Sequence, residues 1–443
     1  LCFFHGPPFK FNTSARAQHD KFIYGTQFSP DGNHLVTVGG DRKIWLYDGK
    51  TGEAVKQIGE GEHTGSIFGV SWSKDSKRLV TSSGDQTVKI WDAELGKAVQ
   101  SWRFGPEGRS SVSDQQVGVT WPARSDGLII SVDLEGNLNY LQEGSASPTK
   151  VVSGHQKAIT ATALSSETNT FWTGSYDGRL RAWDVATGSA ELIQGEAHTN
   201  YVSGIVQLPS DRLASVGWDD TLRHIASSQR TVSGSAAKTD GQPKGAALVE
   251  LNGKPHTVVA TANGIAIYTS SGEAASQRKV SSPPTSIAAH ATIIATGADD
   301  KTVSIFSASS DSTITVLKDA NAPISTLAFS PTGSHLAAGL SNGKIFVFAR
   351  GGSESDWKLE TNRWSSHTAR VTSIAWSPDG KHAVSGGLDT NLCVWSLADP
   401  GKRVRVANAH KDGIGGVAWA GREKVISAGA DAAVKTWKVQ GLV

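Results

Sequence analysis

The stretch "FWTGSYDGRLRAWDV", residues 171–185, places Thr173 four positions before Asp177 and Trp183 six positions after it. His155 lies a short way upstream, so a hydroxyl, a carboxylate and an imidazole are all at hand, as in a nucleophilic triad. A catalytic site is needed once per chain, and this arrangement recurs. His19 precedes Asp41 by 22 residues, as His63 precedes Asp85, His155 precedes Asp177 and His367 precedes Asp389. His198 to Asp219 and His410 to Asp431 are each 21 apart. The hydroxyl four before each acid is Thr37, Thr81, Thr173, Ser215, Ser385 or Ser427, and an aromatic stands six after most of them: Tyr47, Trp91, Trp183, Trp395 and Trp437. A group that recurs from unit to unit is read as structural, not catalytic.

Outward from these marks the whole chain is periodic. The position six after the turn acid falls at Tyr47, Trp91, Leu141, Trp183, Ile225, Tyr268, Phe306, Phe348, Trp395 and Trp437. Most intervals are 42 to 44 residues, with extremes of 38 and 50. Two units are degenerate: "TANGIAIYT" around Tyr268 is shortened, and the unit at Phe348 carries Asn342 in its turn. Inside a unit the period is two. In "DQTVKIWD", residues 85–92, Val88 and Ile90 point one way and Thr87, Lys89 and Trp91 the other. "RVTSIAWSPDGKHAVSGG", residues 370–387, reads as strand, Ser-Pro-Asp-Gly turn, strand. About four short antiparallel strands repeating every ~40–45 residues predict an all-β propeller.

Composition narrows the function classes. The 443 residues carry a formal net charge of +2, so the chain has no general electrostatic pull towards nucleic acid or anionic membrane. Two cysteines, Cys2 and Cys393, suggest a reducing compartment without a disulfide framework. No run approaches the ~18 apolar residues of a membrane span, and no secretory signal opens the chain. The chain begins at Leu1 and contains no methionine, which is read as processing or a fragment. No phosphate-binding G-x-x-x-x-G-K-[ST] loop and no Cys/His cluster at zinc spacing occurs, so neither metal nor cofactor is expected. "NTS" at 12–14 fits a glycosylation acceptor that the cytosolic reading makes silent, and the polar stretches 235–245 and 353–358 read as solvated loops.

The units resemble the WD-repeat family, most specifically at "VKIWD" (88–92) and "LRAWD" (180–184) with the fixed His-to-Asp spacing. The resemblance implies that His, Ser/Thr, Asp and Trp form a buried hydrogen-bonded chain tying strands together. Seven blades is the usual WD number. Counting back from the C-terminus gives one complete seven-bladed propeller at 148–443, and 1–147 as the last three blades of an incomplete second propeller. The expected boundary is the Gly/Ser/Pro segment 142–150. The last blade is expected to lack its outer strand, "TKVVSG" (149–154) can complete only one of two short blades, and the other strand is expected from an absent N-terminus.

Two irregular segments bear on function. "FFHGPPFKFN", residues 3–12, carries four phenylalanines around Pro7 and Pro8, which forbid a regular ladder. Phe3 and Phe4 are expected to pack under the loop, and Phe11 and Phe22 to be surface anchors. "SDQQVGVTW", 113–121, puts Asp114-Gln115-Gln116 where other blades have a histidine, and is read as a substitute blade-entry turn. Together with "GPPFKF" (6–11), "LYDGKTGE" (46–53), "GWDD" (217–220) and "VWSLADPGKRV" (394–404), these segments resemble the actin-interacting protein 1 family over the whole chain. The resemblance implies fourteen blades, about four of them before Leu1. It implies a cytoplasmic, non-enzymatic protein of the actin cytoskeleton and cortical actin patches. Such a protein binds actin filaments decorated by cofilin (actin-depolymerising factor), promotes their disassembly and helps cap barbed ends. No nucleic acid or membrane enters as partner. Lys10, Phe11 and Phe22 match the family's aromatic and basic contacts. The alternative is a generic WD scaffold or adaptor of a ubiquitin-ligase or chromatin complex. A propeller enzyme would need a unique polar cluster outside the repeat.

Overall fold

Thr170–Ser175 is buried at every position, whereas the outer strand Ala274–Arg278 is almost wholly exposed. That contrast recurs and sets the architecture. Middle strands are covered on both faces by neighbouring sheets and so are apolar at successive positions, while outer strands face water. A computed structural model describes residues 2–5, 10–14, 18–106, 108–123, 127–165, 167–310 and 312–440. Among them every regular element is a strand, and none is a helix that could cross a membrane.

The chain divides into two units, 1–153 and 154–443. The first holds the hairpin Cys2–His5/Lys10–Ser14 and three four-stranded antiparallel sheets, blades 1 to 3, at 23–58, 67–103 and 116–152. The division falls beyond the expected segment 142–150, because Lys150–Val152 hydrogen-bonds along Leu138–Gln142 and so stays with blade 3. The second unit holds seven sheets, blades 4 to 10, at 159–192, 202–238, 243–278, 284–317, 324–365, 371–406 and 414–438. Blade 10 has three strands among the described residues.

The seven sheets close into a ring: the inner strand Ile159–Ser165 neighbours both Val202–Leu208 and Ile414–Trp419. Each seam is filled by one apolar cluster. Trp172, Leu180 and Ala182 of blade 4 meet Val202, Ile205 and Leu213 of blade 5. At the closing seam Ile159, Phe171 and Val185 meet Ala418, Ile426 and Ala428. The second unit is therefore a closed ring of seven blades.

All ten inner strands carry a β-bulge at their second residue. A bulge re-aims the side chain it displaces. In blades 4, 7 and 8 the displaced residue is a hydroxyl that donates to a carbonyl of the next inner strand: Thr160 to Val202 at 2.7 Å, Thr285 to Ile324 at 2.6 Å, Ser325 to Val371 at 2.6 Å. Thr372 of blade 9 donates likewise to Ile414. Blade 10 has Gly415 at this register, and blade 6 has Lys244.

Candidate functional site

The repeated polar groups come together in five blades as a directed chain. In blade 2 the Trp91 indole N–H donates to Thr81 Oγ1 at 2.8 Å, Thr81 lies 2.8 Å from His63 Nε2, and His63 Nδ1 lies 2.7 Å from Asp85. The carboxylate must accept, so Nδ1 carries the proton and Nε2 accepts from the hydroxyl. Asp85 also accepts the backbone N–H of Thr64, which pins the loop entering the blade. Blade 9 repeats this with His367, Ser385, Asp389 and Trp395, and blade 10 with His410, Ser427, Asp431 and Trp437, at 2.7 to 2.9 Å throughout. In blade 1, His19 joins Asp41 at 2.9 Å and Thr37 at 2.8 Å, and Tyr47 stands in place of tryptophan. In blade 5, His198 joins Asp219 and Ser215, each at 2.9 Å, but Ile225 offers no donor.

The residue after the acid has left-handed backbone in these blades: φ is 69° at Arg42, 67° at Gln86, 54° at Asp220, 68° at Thr390 and 60° at Ala432. The buried network holds that turn against its strain. Burial works against the ionised Asp85, Asp219 and Asp431. The hydrogen bonds from histidine and backbone N–H outweigh it and hold all three carboxyls below the usual range. Thr37, Thr81, Thr173, Ser215, Ser385 and Ser427 are all fully buried. No substrate can reach these hydroxyls, so none of the six is placed to act as a nucleophile.

Blade 4 departs from the expected network. His155 Nε2 joins Thr173 at 2.7 Å and Trp183 donates to Thr173 at 2.7 Å, but His155 Nδ1 has no hydrogen-bond partner. Asp177 instead accepts from the Ser175 hydroxyl at 2.8 Å and from the Arg179 N–H at 3.1 Å. Blade 2 has Ser83 at the same register, yet that hydroxyl donates to Gly65 O and leaves its acid to histidine. Burial, and then the charge of Arg181, push the His155 pKa down to about 4. The unfolded imidazole, with its ordinary pKa of 6.5, therefore takes a proton before the folded one does. Its contribution is fully present above pH 6.5 and is lost as pH falls towards 4, by roughly 3 kcal/mol in total. Urea denaturation at a series of pH values should show this loss, and His155→Gln should reduce it, leaving the share of His224 and His410, whose pKa values burial also lowers. A slope unchanged by the substitution would remove His155 as its source. The tetrad carboxylates do not compete in this window, since their stabilisation is lost only below about pH 4, near their unfolded pKa.

Blade 3 has a substitute for the histidine. Gln116 is fully buried and its Oε1 accepts from Ser131 at 2.8 Å. The glutamine thus fills the imidazole's place, and the missing histidine in "DQQVG" was the signal for it.

The predicted contact residues lie on the surface of the first unit. Lys10 and Phe11 begin the strand Lys10–Ser14, both exposed, and Phe11 meets Phe4 edge to face at 5.9 Å. Phe4 is 57% exposed and so does not pack under the loop; Pro7, Pro8 and Phe9, and the side chain of Phe3, lie outside the described residues. Phe22 is 80% exposed and anchored by its backbone, whose carbonyl accepts the N–H of Gly40 at 2.8 Å. No described contact joins Phe22 to Lys10 or Phe11. Cys2 and Cys393 are free thiols, and burial pushes that of Cys393 up to about 11. Among the described residues no group of His, Cys, Asp and Glu could hold a metal ion.

A family model described as WD domain, G-beta repeat matches residues 12–48, 56–92, 146–184, 311–348 and 359–396. The 66 kDa stress protein of Physarum polycephalum is 35% identical over 99% of this chain and 71% of its own length. WD repeat-containing protein 1 of Gallus gallus is 35% identical over 99% of this chain and 71% of its own length. Actin-interacting protein 1 of Drosophila melanogaster is 32% identical over 100% of this chain and 71% of its own length.

Proposed function

Since the chain belongs to the family of WD repeat-containing protein 1 and actin-interacting protein 1, we propose that it binds actin filaments decorated by cofilin, promotes their disassembly and helps cap barbed ends. The observation that carries this reading is the similarity to actin-interacting protein 1 along the whole chain. The polar repeats support it from the other side, because their hydroxyls are fully buried and leave binding, not bond chemistry, as the activity. A binder changes a filament by preferring one of its states and shifting the population towards it. We assign contacts with actin and cofilin to Lys10, Phe11 and Phe22, where exposed aromatics and a cation suit an interface. The reading places the protein in the cytoplasm at the actin cytoskeleton, including cortical patches, without nucleic-acid or membrane partners.

Co-sedimentation with filaments tests it. The chain should pellet with filaments only when cofilin is present. The double substitution Phe11→Ala/Phe22→Ala should weaken that by at least about tenfold while leaving the thermal melt unchanged. A folded chain that stays in the supernatant with cofilin-decorated filaments would replace this reading with that of a generic WD scaffold.

A further inference from the structure

The residue just before the turn acid is small in several blades, as at Gly40, Gly84, Ser341 and Ala430. In the adjacent blades 4 and 5 it is Tyr176 and Trp218, 57% and 38% exposed. Tyr201, on the loop entering blade 5, stands between them. Its ring meets Tyr176 edge to face at 5.8 Å and stacks on Trp218 at 4.5 Å. Lys244 of blade 6 follows, with Nζ 5.4 Å from the Trp218 ring. Lys244 is the bulge residue, at the register where Thr160, Thr285 and Ser325 tie one blade to the next. Here the tie is absent. The ammonium turns to Trp218 and to the neutral Gln242 Oε1 at 2.6 Å, and among the described residues no carboxylate lies within ion-pair distance of it.

The row is held in place. The backbone N–H of Trp218 donates to Tyr201 O, and that of Tyr176 to Ala158 O. Contact separations of 5.8, 4.5 and 5.4 Å limit its length to about 16 Å, the span of about five extended residues. A held aromatic row with two exposed members, Tyr176 and Trp218, and a half-buried one, Tyr201, has the composition of an interface hot spot. A cation without a carboxylate at its end selects the sign of charge on the partner.

We propose that Tyr176, Tyr201, Trp218 and Lys244 form a docking site on the second unit for an extended acidic peptide segment. A carboxylate of that segment pairs with Lys244, and an apolar side chain beside it lies on the aromatic row. The site does not depend on the filament reading.

Selection of a random 12-residue peptide library on the full chain tests this, with neither actin nor cofilin present. Peptides carrying a carboxylate close to an apolar or aromatic side chain should be enriched. Fluorescently labelled copies should bind, and Trp218→Ala and Lys244→Glu should each weaken binding by at least about tenfold. Lys244→Arg should restore it. Tyr176→Ala, at a more exposed position, serves should Trp218→Ala fail to fold. Enrichment of basic or uncharged peptides, absence of enrichment, or affinities indifferent to Lys244→Glu and Tyr176→Ala would overturn the proposal. So would a labelled oligothymidylate that binds the wild type and is lost from Tyr176→Ala, since that outcome makes the row a base-stacking platform.

Discussion

The Gly415→Ala chain is expected to melt about 6–12 °C below the parent, through loss of the closed ring in the second unit. A Cβ on Gly415 would sit 1.9 Å from the carbonyl oxygen of Ile159, a backbone atom that no rotamer change can move. The inner strands of blades 10 and 4 would have to separate. Separation opens the cluster of Ile159, Phe171, Ala418, Ile426 and Ala428 that closes the ring. Overpacking of this kind costs about 3 kcal/mol, at the upper end of its usual range. For a unit of this size each kcal/mol lowers the midpoint by about 2–4 °C. Thr372→Ala is the matched control, because it removes a side chain at the same register of blade 9. It loses hydrogen bonds to Gly386 O and Ile414 O without a clash, a cost of about 1 kcal/mol. Scanning calorimetry of both variants separates the effects. A Gly415→Ala midpoint within about 2 °C of that of Thr372→Ala would show that the seam accepts a methyl group and would remove close approach as the reason for glycine.

Thr81→Val should cost about 3–5 kcal/mol, far more than an exposed threonine would. The substitution keeps the shape and removes one oxygen. Two buried groups then lose their partner together, the indole N–H of Trp91 and Nε2 of His63. Each orphaned group costs ~1–3 kcal/mol. Ser215→Ala in blade 5 strands only the imidazole of His198, because Ile225 occupies the tryptophan's place. It should cost about half as much. Chemical denaturation monitored by tryptophan fluorescence measures both. Equal losses in the two blades would mean that the indole bond adds nothing to the network.

Much of the molecule was legible because its information is local and repeated. Strand, turn and strand could be read from "RVTSIAWSPDGKHAVSGG". A spacing of 21 or 22 residues brought His and Asp together in five of the six units that carry it. The exposure of Phe11 and Phe22 was also readable, whereas Phe4 was not, since its environment depends on which strand lies over it. Gln116 was visible only as a missing histidine, because an amide can fill the same place with different atoms.

The sequence alone determined the all-β class, the ten units and the structural role of the repeated polar groups, because all three follow from periodicity along the chain. Tertiary structure decided the rest, since each outcome is a competition between groups distant in sequence. Asp177 had two possible donors, and the Ser175 hydroxyl was placed to reach it while His155 was not. Lys150–Val152 had two sheets in need of an edge, and hydrogen-bonding geometry gave it to blade 3. The bulge residue has the same place in every blade, but its use depends on what the neighbouring blade presents to it. Thr160 meets the carbonyl of Val202, Gly415 has the carbonyl of Ile159 where a Cβ would sit, and in blade 6 Lys244 turns onto Trp218.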